Sequence, residues 1–297
     1  MRYYIFLLLI LSYEFCFAQR PVYDSLVVLA EHALLNSDYA TSSKLYQSAF
    51  QSLKYKGLAP DRFKAAKAMA MSGEVDSAFV YLNILWKKTE YLEYDSLRNE
   101  RLLISLHKDL RWLKLLDEAK PKMPELAIRL AEIRESDQNG RNQVKAVLAK
   151  YGKESTEYKE LWSAINLQDS LNQREIFDII DKFGWLGRND VGNAGSSAIY
   201  LVIQHSPIEA QEKYLPIMRD AVKAGKARRQ NMAYLEDRVL VRRGKKQLYG
   251  SQFKGIDGGY FPIIDIEHLN ERREFVGLAP FSIEEMKEVR RQSLEWK

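Results

Sequence analysis

The chain has 297 residues, with 45 Lys and Arg against 40 Asp and Glu, for a formal charge of +5. Its single cysteine, Cys16, falls in an N-terminal leader, so the rest of the chain has no disulfide framework and no thiolate metal site. The four histidines (His32, His107, His205, His268) never stand three or four residues apart, which excludes a zincin-type metal helix.

Residues 1–18 read as a secretory signal peptide. Arg2 supplies the early positive charge, Tyr3 to Leu11 the apolar run, and Cys16 and Ala18 the small residues of a cleavage site. The mature chain is then expected to start at Gln19 and to work in the periplasm or outside the cell. The apolar run is too short to span a bilayer and no later stretch is longer, so no transmembrane segment is expected in the mature chain. Glu14 and Phe15 are bulky where lipid attachment at Cys16 would need small residues.

From about Asp24 to Lys120 the apolar spacing predicts paired helices. Ser37-Asp38-Tyr39 through Tyr46 aligns with Gly73-Glu74-Val75 through Leu82 at an offset of 36 residues. Both copies read as a short turn followed by a helix with Ala, Tyr and Leu at helical spacing. This resembles a degenerate tetratricopeptide-like array, whose hairpins stack to share a core. A third helical segment, Leu102 to Leu116, carries Trp112. The resemblance implies a protein or peptide partner for residues 19–120. Lys120-Pro121-Lys122-Met123-Pro124 then breaks the helical pattern, and a second domain is expected over 121–297.

In that second domain Leu126, Leu130 and Ile133 form a helical stripe that continues through Asp137 and Arg141. A long helix from Thr156 to Phe183 places Asp169 and Asn172 among Leu161, Ile165, Ile176, Ile179, Ile180 and Phe183 on one face. Gly184 is expected to end it in a left-handed cap. A loop with Gly187, Gly192 and Gly195 leads to an apolar helix, Ser196 to His205, which ends in Gln204-His205. Ser206-Pro207-Ile208-Glu209 reads as a capping box opening the next helix, with Gln211, Tyr214, Met218, Ala221 and Val222 facing in.

A further helix is expected to run to about Arg238. Val239 to Phe253 alternates like a β-hairpin turning at Gly244-Lys245, with Val241 opposite Leu248, and Asp257-Gly258-Gly259 marks a second turn. Ser282-Ile283-Glu284-Glu285 caps a last helix. The fold class expected is mainly α: a helical-hairpin array, then an α-rich domain with one or two short β-hairpins.

The ordered motifs Asp137-Gln138, Arg141, Asp169, Asn172, Gly184-Trp185, Val191-Gly192, Gln204-His205, Gln211, Asp237-Arg238, Gly244, Gln247, Tyr249 to Gln252, Arg272-Arg273 and Gly277-Leu278 resemble an uncharacterised bacterial domain family, domain of unknown function 6624. The resemblance spans about 124–280. It implies a domain boundary and carries no activity.

The same residues suggest one polar pocket. His205, with Asp169, Asp137 or Asp237, forms a candidate acid–base pair, because imidazole exchanges protons near neutral pH. Arg141 and Arg238 are candidates to hold an anionic group in a fork geometry. Asn172, Gln204, Gln211, Asp237, Gln247, Tyr249 and Gln252 are candidates to orient a ligand. Alternatively each is a satisfied structural polar group, with Asp137 and Arg141 an i, i+4 pair. No cofactor and no metal are expected. Between Lys223 and Lys246 nine Lys and Arg face only Glu236 and Asp237, a segment suited to an anionic envelope component; nothing resembles a nucleic-acid motif. The function expected is an exported binding or scaffolding protein with a ligand pocket around His205. The alternative is an exported hydrolase-like enzyme using His205 and a carboxylate.

Overall fold

The computed structural model describes residues 20–55, 57–89, 91–255 and 259–294. The expected leader, 1–18, and Asp257-Gly258 of the expected second turn lie outside the described residues. The chain divides into two units between Lys120 and Pro121.

In the first unit α1 (20–35), α2 (Tyr39–Ser52), α3 (Ala59–Ser72) and α4 (Val75–Lys88) form consecutive helical hairpins. A short α5 (Tyr94–Asn99), a 3-10 turn (Arg101–Leu106) and α6 (Leu110–Ala119) follow. The turns into α2 and α4 are built alike. Ser37 (φ 60°) and Gly73 (φ 86°) take the left-handed conformation, and an acidic residue, Asp38 or Glu74, follows at the helix start. The burial pattern repeats with the same offset. Ser42, Ser43, Tyr46, Ala49 and Phe50 are buried in α2, and Ala78, Phe79, Leu82, Leu85 and Trp86, each 36 residues later, in α4. One apolar core runs through the unit from Tyr23 to Ala119. The expected single helix over 102–116 is instead broken at His107–Asp109, where Asp109 caps α6 by accepting from the Arg111 N–H.

The second unit opens with two 28-residue helices, α7 (Pro124–Tyr151) and α8 (Thr156–Phe183). Pro124 sits in the first turn of α7, where a missing N–H costs nothing, and Ser155 caps α8 through the Tyr158 N–H. Gly184 (φ 71°) ends α8. Next come α9 (Arg188–His205), α10 (Ile208–Lys223), α11 (Arg229–Arg242), a 3-10 turn (Ile266–His268), α12 (Leu269–Phe275) and α13 (Ile283–Leu294). Leu130 and Ile133 of α7, Ile176 to Ile180 of α8, Ala198 to Ile203 of α9 and Tyr214 to Ala221 of α10 share one core. Phe183, placed by helical phase on the inner stripe of α8, is exposed at its end.

Three local expectations are corrected. First, helical backbone already starts at Arg188 and breaks at a kink with non-helical backbone at Val191 and Gly192 (φ 72°), so Gly195 is helical rather than a loop residue while Gly192 marks the break. Second, no capping box opens α10. The Ser206 hydroxyl instead donates back to the Val202 carbonyl, closing the end of α9.

Third, no strand forms among the described residues, and the β-hairpins are absent. Val239 to Arg242 complete α11. Gly244 (φ 67°) is not a hairpin turn but the left-handed residue past the helix end, and the Lys245 N–H closes on the Leu240 carbonyl at 2.8 Å. The apolar run Val239-Leu240-Val241 is too short to separate the two periods, and glycine serves both kinds of turn. Beyond it only isolated bridges, Gln247 with Ile263 and Phe253 with Tyr260, link extended segments. The reciprocal capping box at Ser282 and Glu285 does form.

Candidate functional site

Helical phase carries Asp137 from the apolar stripe of α7 into the interior, where it is only 1% exposed. Burial of a charge demands partners, and Asp137 has several. His205, at the end of α9, donates from Nδ1 to its Oδ1 at 3.1 Å. Gln138 Nε2 reaches its Oδ2 at 2.6 Å, and the Arg141 guanidinium lies 3.4 Å from Oδ1. Burial pushes the Asp137 carboxyl up. The His205 hydrogen bond and charge, with the Gln138 contact and the charge of Arg141, outweigh that and hold it below its ordinary range.

An ionised Asp137 accepts and cannot donate, so Nδ1 of His205 carries the hydrogen. In the neutral ring Nε2 is then the nitrogen with a free lone pair. It has no protein partner among the described residues, and the side chain remains 20% exposed. Orientation of an imidazole by a buried carboxylate, with the far nitrogen open, is the arrangement a proton acceptor or a ligand contact requires.

Arg141 ties this pair to α8. Its Nη1 donates to the Asp137 carbonyl at 2.7 Å and its Nη2 to Asp169 Oδ2, also at 2.7 Å. The other oxygen of Asp169, Oδ1, is buried without a partner among the described residues. Asn172, one turn further along α8, accepts from Ser136 Oγ and Gln168 Nε2, while its own Nδ2 is unpartnered.

The α9–α10 corner completes the site. The Gln204 carbonyl accepts from Gln211 Nε2 at 2.8 Å and from Arg238 Nη1 at 2.9 Å, and the Ser206 carbonyl accepts from Arg242 Nη1 at 3.0 Å. Side-chain oxygens of Gln204 and Gln211 are buried and unpartnered. Burial depresses the Arg238 guanidinium, helped by the neighbouring charges of Arg242 and Arg141, against Tyr200. Burial likewise drives the Tyr200 phenol far above its ordinary range, with Arg238 opposing.

The remaining candidates form a different cluster. Asp237 is fully buried and accepts from the Leu248, Tyr249 and Ser251 N–H groups and from the Ser251 hydroxyl. Burial pushes its carboxyl up, against those four donors. Gln247 donates to the Gln252 and Phe261 carbonyls and accepts from the Gln252 N–H. The Tyr249 hydroxyl meets Glu236, and the Gln252 side chain donates to the Ser251 carbonyl and hydroxyl. Arg272 and Arg273 bind the Leu248 and Tyr249 carbonyls. These groups hold an irregular segment in shape.

Sequence reasoning thus brought Asp137, Arg141, Asp169, His205, Gln204, Gln211 and Arg238 together and missed Gln138, Tyr200 and Arg242. Arg242 lies one turn after Arg238, a signal hidden once that stretch was read as a strand. Within the basic segment Lys223 pairs with Asp220, Lys226 with Asp190 and Arg243 with Glu212. Among the described residues no group of three or more His, Cys, Asp or Glu could hold a metal ion, and no helix is long and apolar enough to cross a membrane.

Comparison with known protein families matches residues 124–292 to a family described as a family of unknown function, DUF6624. The chain belongs to the DUF6624 family. The match takes in every residue of both polar clusters, so the His205 corner and the Asp237 brace lie inside the DUF6624 region. No curated protein and no solved structure matches the chain.

Proposed function

We propose that the second unit binds a small polar ligand at the α9–α10 corner, with Nε2 of His205 as a contact atom, in an exported protein whose first unit docks a protein partner. The observation that carries the ligand reading is the division of labour on one ring. Buried Asp137 holds Nδ1 while Nε2 has no protein partner among the described residues. The protein-docking reading of the first unit rests on the 36-residue repeat of its hairpins, which is tetratricopeptide-like in period. A cavity of about 220 Å³ lined by Gln47, Gln51, Tyr55, Ser77, Val80 and Tyr81 opens on the same helices. Export rests on the leader at 1–18.

A second reading follows from the same ring. An unprotonated Nε2 backed by a carboxylate is a competent general base, which favours a hydrolase-like enzyme acting on a polar envelope substrate.

Paired substitutions test the ligand reading. His205→Asn keeps an amide N–H for Asp137 and removes Nε2, whereas His205→Ala removes both. Native mass spectrometry of the purified protein is expected to show small molecules retained by wild type and lost in His205→Asn, while the melting temperature of that variant stays near wild type. His205→Ala is expected to lose about 1–3 kcal/mol as well, because Asp137 is left short of a donor. Identical retention by wild type and His205→Asn would overturn the ligand reading.

A further inference from the structure

We infer that Arg238 and Arg242 form a seat for an oxyanion, a carboxylate or phosphate group, beside His205. The inference rests on the ligand-binding reading of this corner and names the chemistry of the ligand.

The basic residues around α11 separate by what they bind. Three outward-facing ones have acid partners: Arg219 with Glu236, Arg243 with Glu212 and Lys223 with Asp220. Arg238 and Arg242, one turn apart on α11, have none among the described residues. Each uses one Nη1 on a main-chain carbonyl, Gln204 or Ser206. A guanidinium has five N–H donors in a flat fork, so most of each fork remains available.

The local charges do not balance. Arg141, Arg238 and Arg242 share the corner with two carboxylates, Asp137 and Asp169. Both of those are already held by Arg141, and Asp137 also by His205. Arg238 is partly sheltered from solvent and feels the charges of Arg242 and Arg141, which adds to the cost of keeping it charged. A sheltered cation with like-charged neighbours and no counter-ion is unfavourable, and an oxyanion relieves it. Arginine forks match the geometry of carboxylate and phosphate. The corner carbonyls orient the forks by taking one donor from each. Arg141, the other arginine singled out by sequence, is a positioning residue, because both its Nη groups are committed to α7 and α8.

Isothermal titration of the whole mature protein with inorganic phosphate and with acetate, at constant chloride and low ionic strength, tests the seat. Wild type is expected to bind at least one of the two, and the tighter one identifies the chemistry. Arg238→Gln and Arg242→Gln are each expected to weaken that binding by about tenfold or more. Arg243→Gln, on the same helix but paired with Glu212, is the control and is expected to bind like wild type. Arg242→Gln decides the matter if Arg238→Gln melts early without any anion, since Arg242 is exposed. No binding of either anion by wild type, or equal weakening by Arg243→Gln, would overturn the seat in favour of none or of a diffuse basic surface. His205→Asn separates the two claims: anion binding lost in the arginine variants but unchanged in His205→Asn supports the seat and sinks a role for the imidazole at it.

Discussion

The two nitrogens of the His205 ring face different surroundings, and the difference starts with one buried carboxylate. Asp137 is ionised in the fold because hydrogen bonds and positive neighbours exceed the effect of burial. Its folded pKa therefore lies below the ordinary 3.8 of an aspartate, and linkage gives the sign. Above the unfolded value the carboxylate contributes its full share of stability. As pH falls through the folded value, both states bind the proton and that share is lost. Asp137→Asn is expected to cost about 3–5 kcal/mol near neutral pH, since Arg141 loses a buried counter-charge and the His205 Nδ1–H an ionised acceptor. Its stability is also expected to fall less steeply than wild type below about pH 4. Urea melts between neutral pH and pH 3 measure both effects; parallel acid limbs would show that Asp137 is not the group responsible. Much of this residue-level picture is legible from helical phase alone. Asp137, Arg141, Asp169 and Asn172 interrupt apolar stripes, and a period of 3.6 turns those interruptions inward. The tautomer of His205 is not legible, because it depends on a partner 68 residues away.

At the scale of elements, α11 and the segment after it show where reading from sequence stops. The run Val239-Leu240-Val241 has too few residues to separate period 2 from period 3.6, and Gly244 suits a hairpin turn and a helix cap equally. What decides is tertiary: Asp237 and Gln247 replace a strand partner for the 247–252 backbone, and the Gln247 and Asp237 positions look no different in sequence from ligand-binding residues. Removal of the brace should be costly. Asp237→Ala is expected to leave three main-chain N–H groups and one hydroxyl short of an acceptor, destabilising the second unit by about 3 kcal/mol or more. Amide hydrogen exchange at Leu248, Tyr249 and Ser251 is expected to quicken in that variant. Unchanged exchange and an unchanged melt, with lost ligand retention, would return Asp237 to the binding site. Gly250 supports the same brace: at φ 67° it lies where a Cβ would come within 2.8 Å of Ile263.

For the molecule as a whole, the two units rest on different kinds of information. In the first, the buried positions of α2 recur 36 residues later in α4, a correspondence that needs no knowledge of function. The second is a DUF6624 domain over most of its length, and its polar residues divide between a brace and a corner. Proline spacing marks the change between them, because Pro121 and Pro124 forbid a continuous helix. The reading of the corner depends on which nitrogen of His205 carries the hydrogen. A long-range proton–nitrogen correlation spectrum of the neutral ring measures this directly. The expected spectrum shows a protonated Nδ1 and an unprotonated Nε2, and Nε2 shifts when the anion that binds at Arg238 is added. A neutral ring protonated on Nε2, with no response to the anion, would mean that Asp137 does not hold Nδ1 and that His205 contacts no ligand.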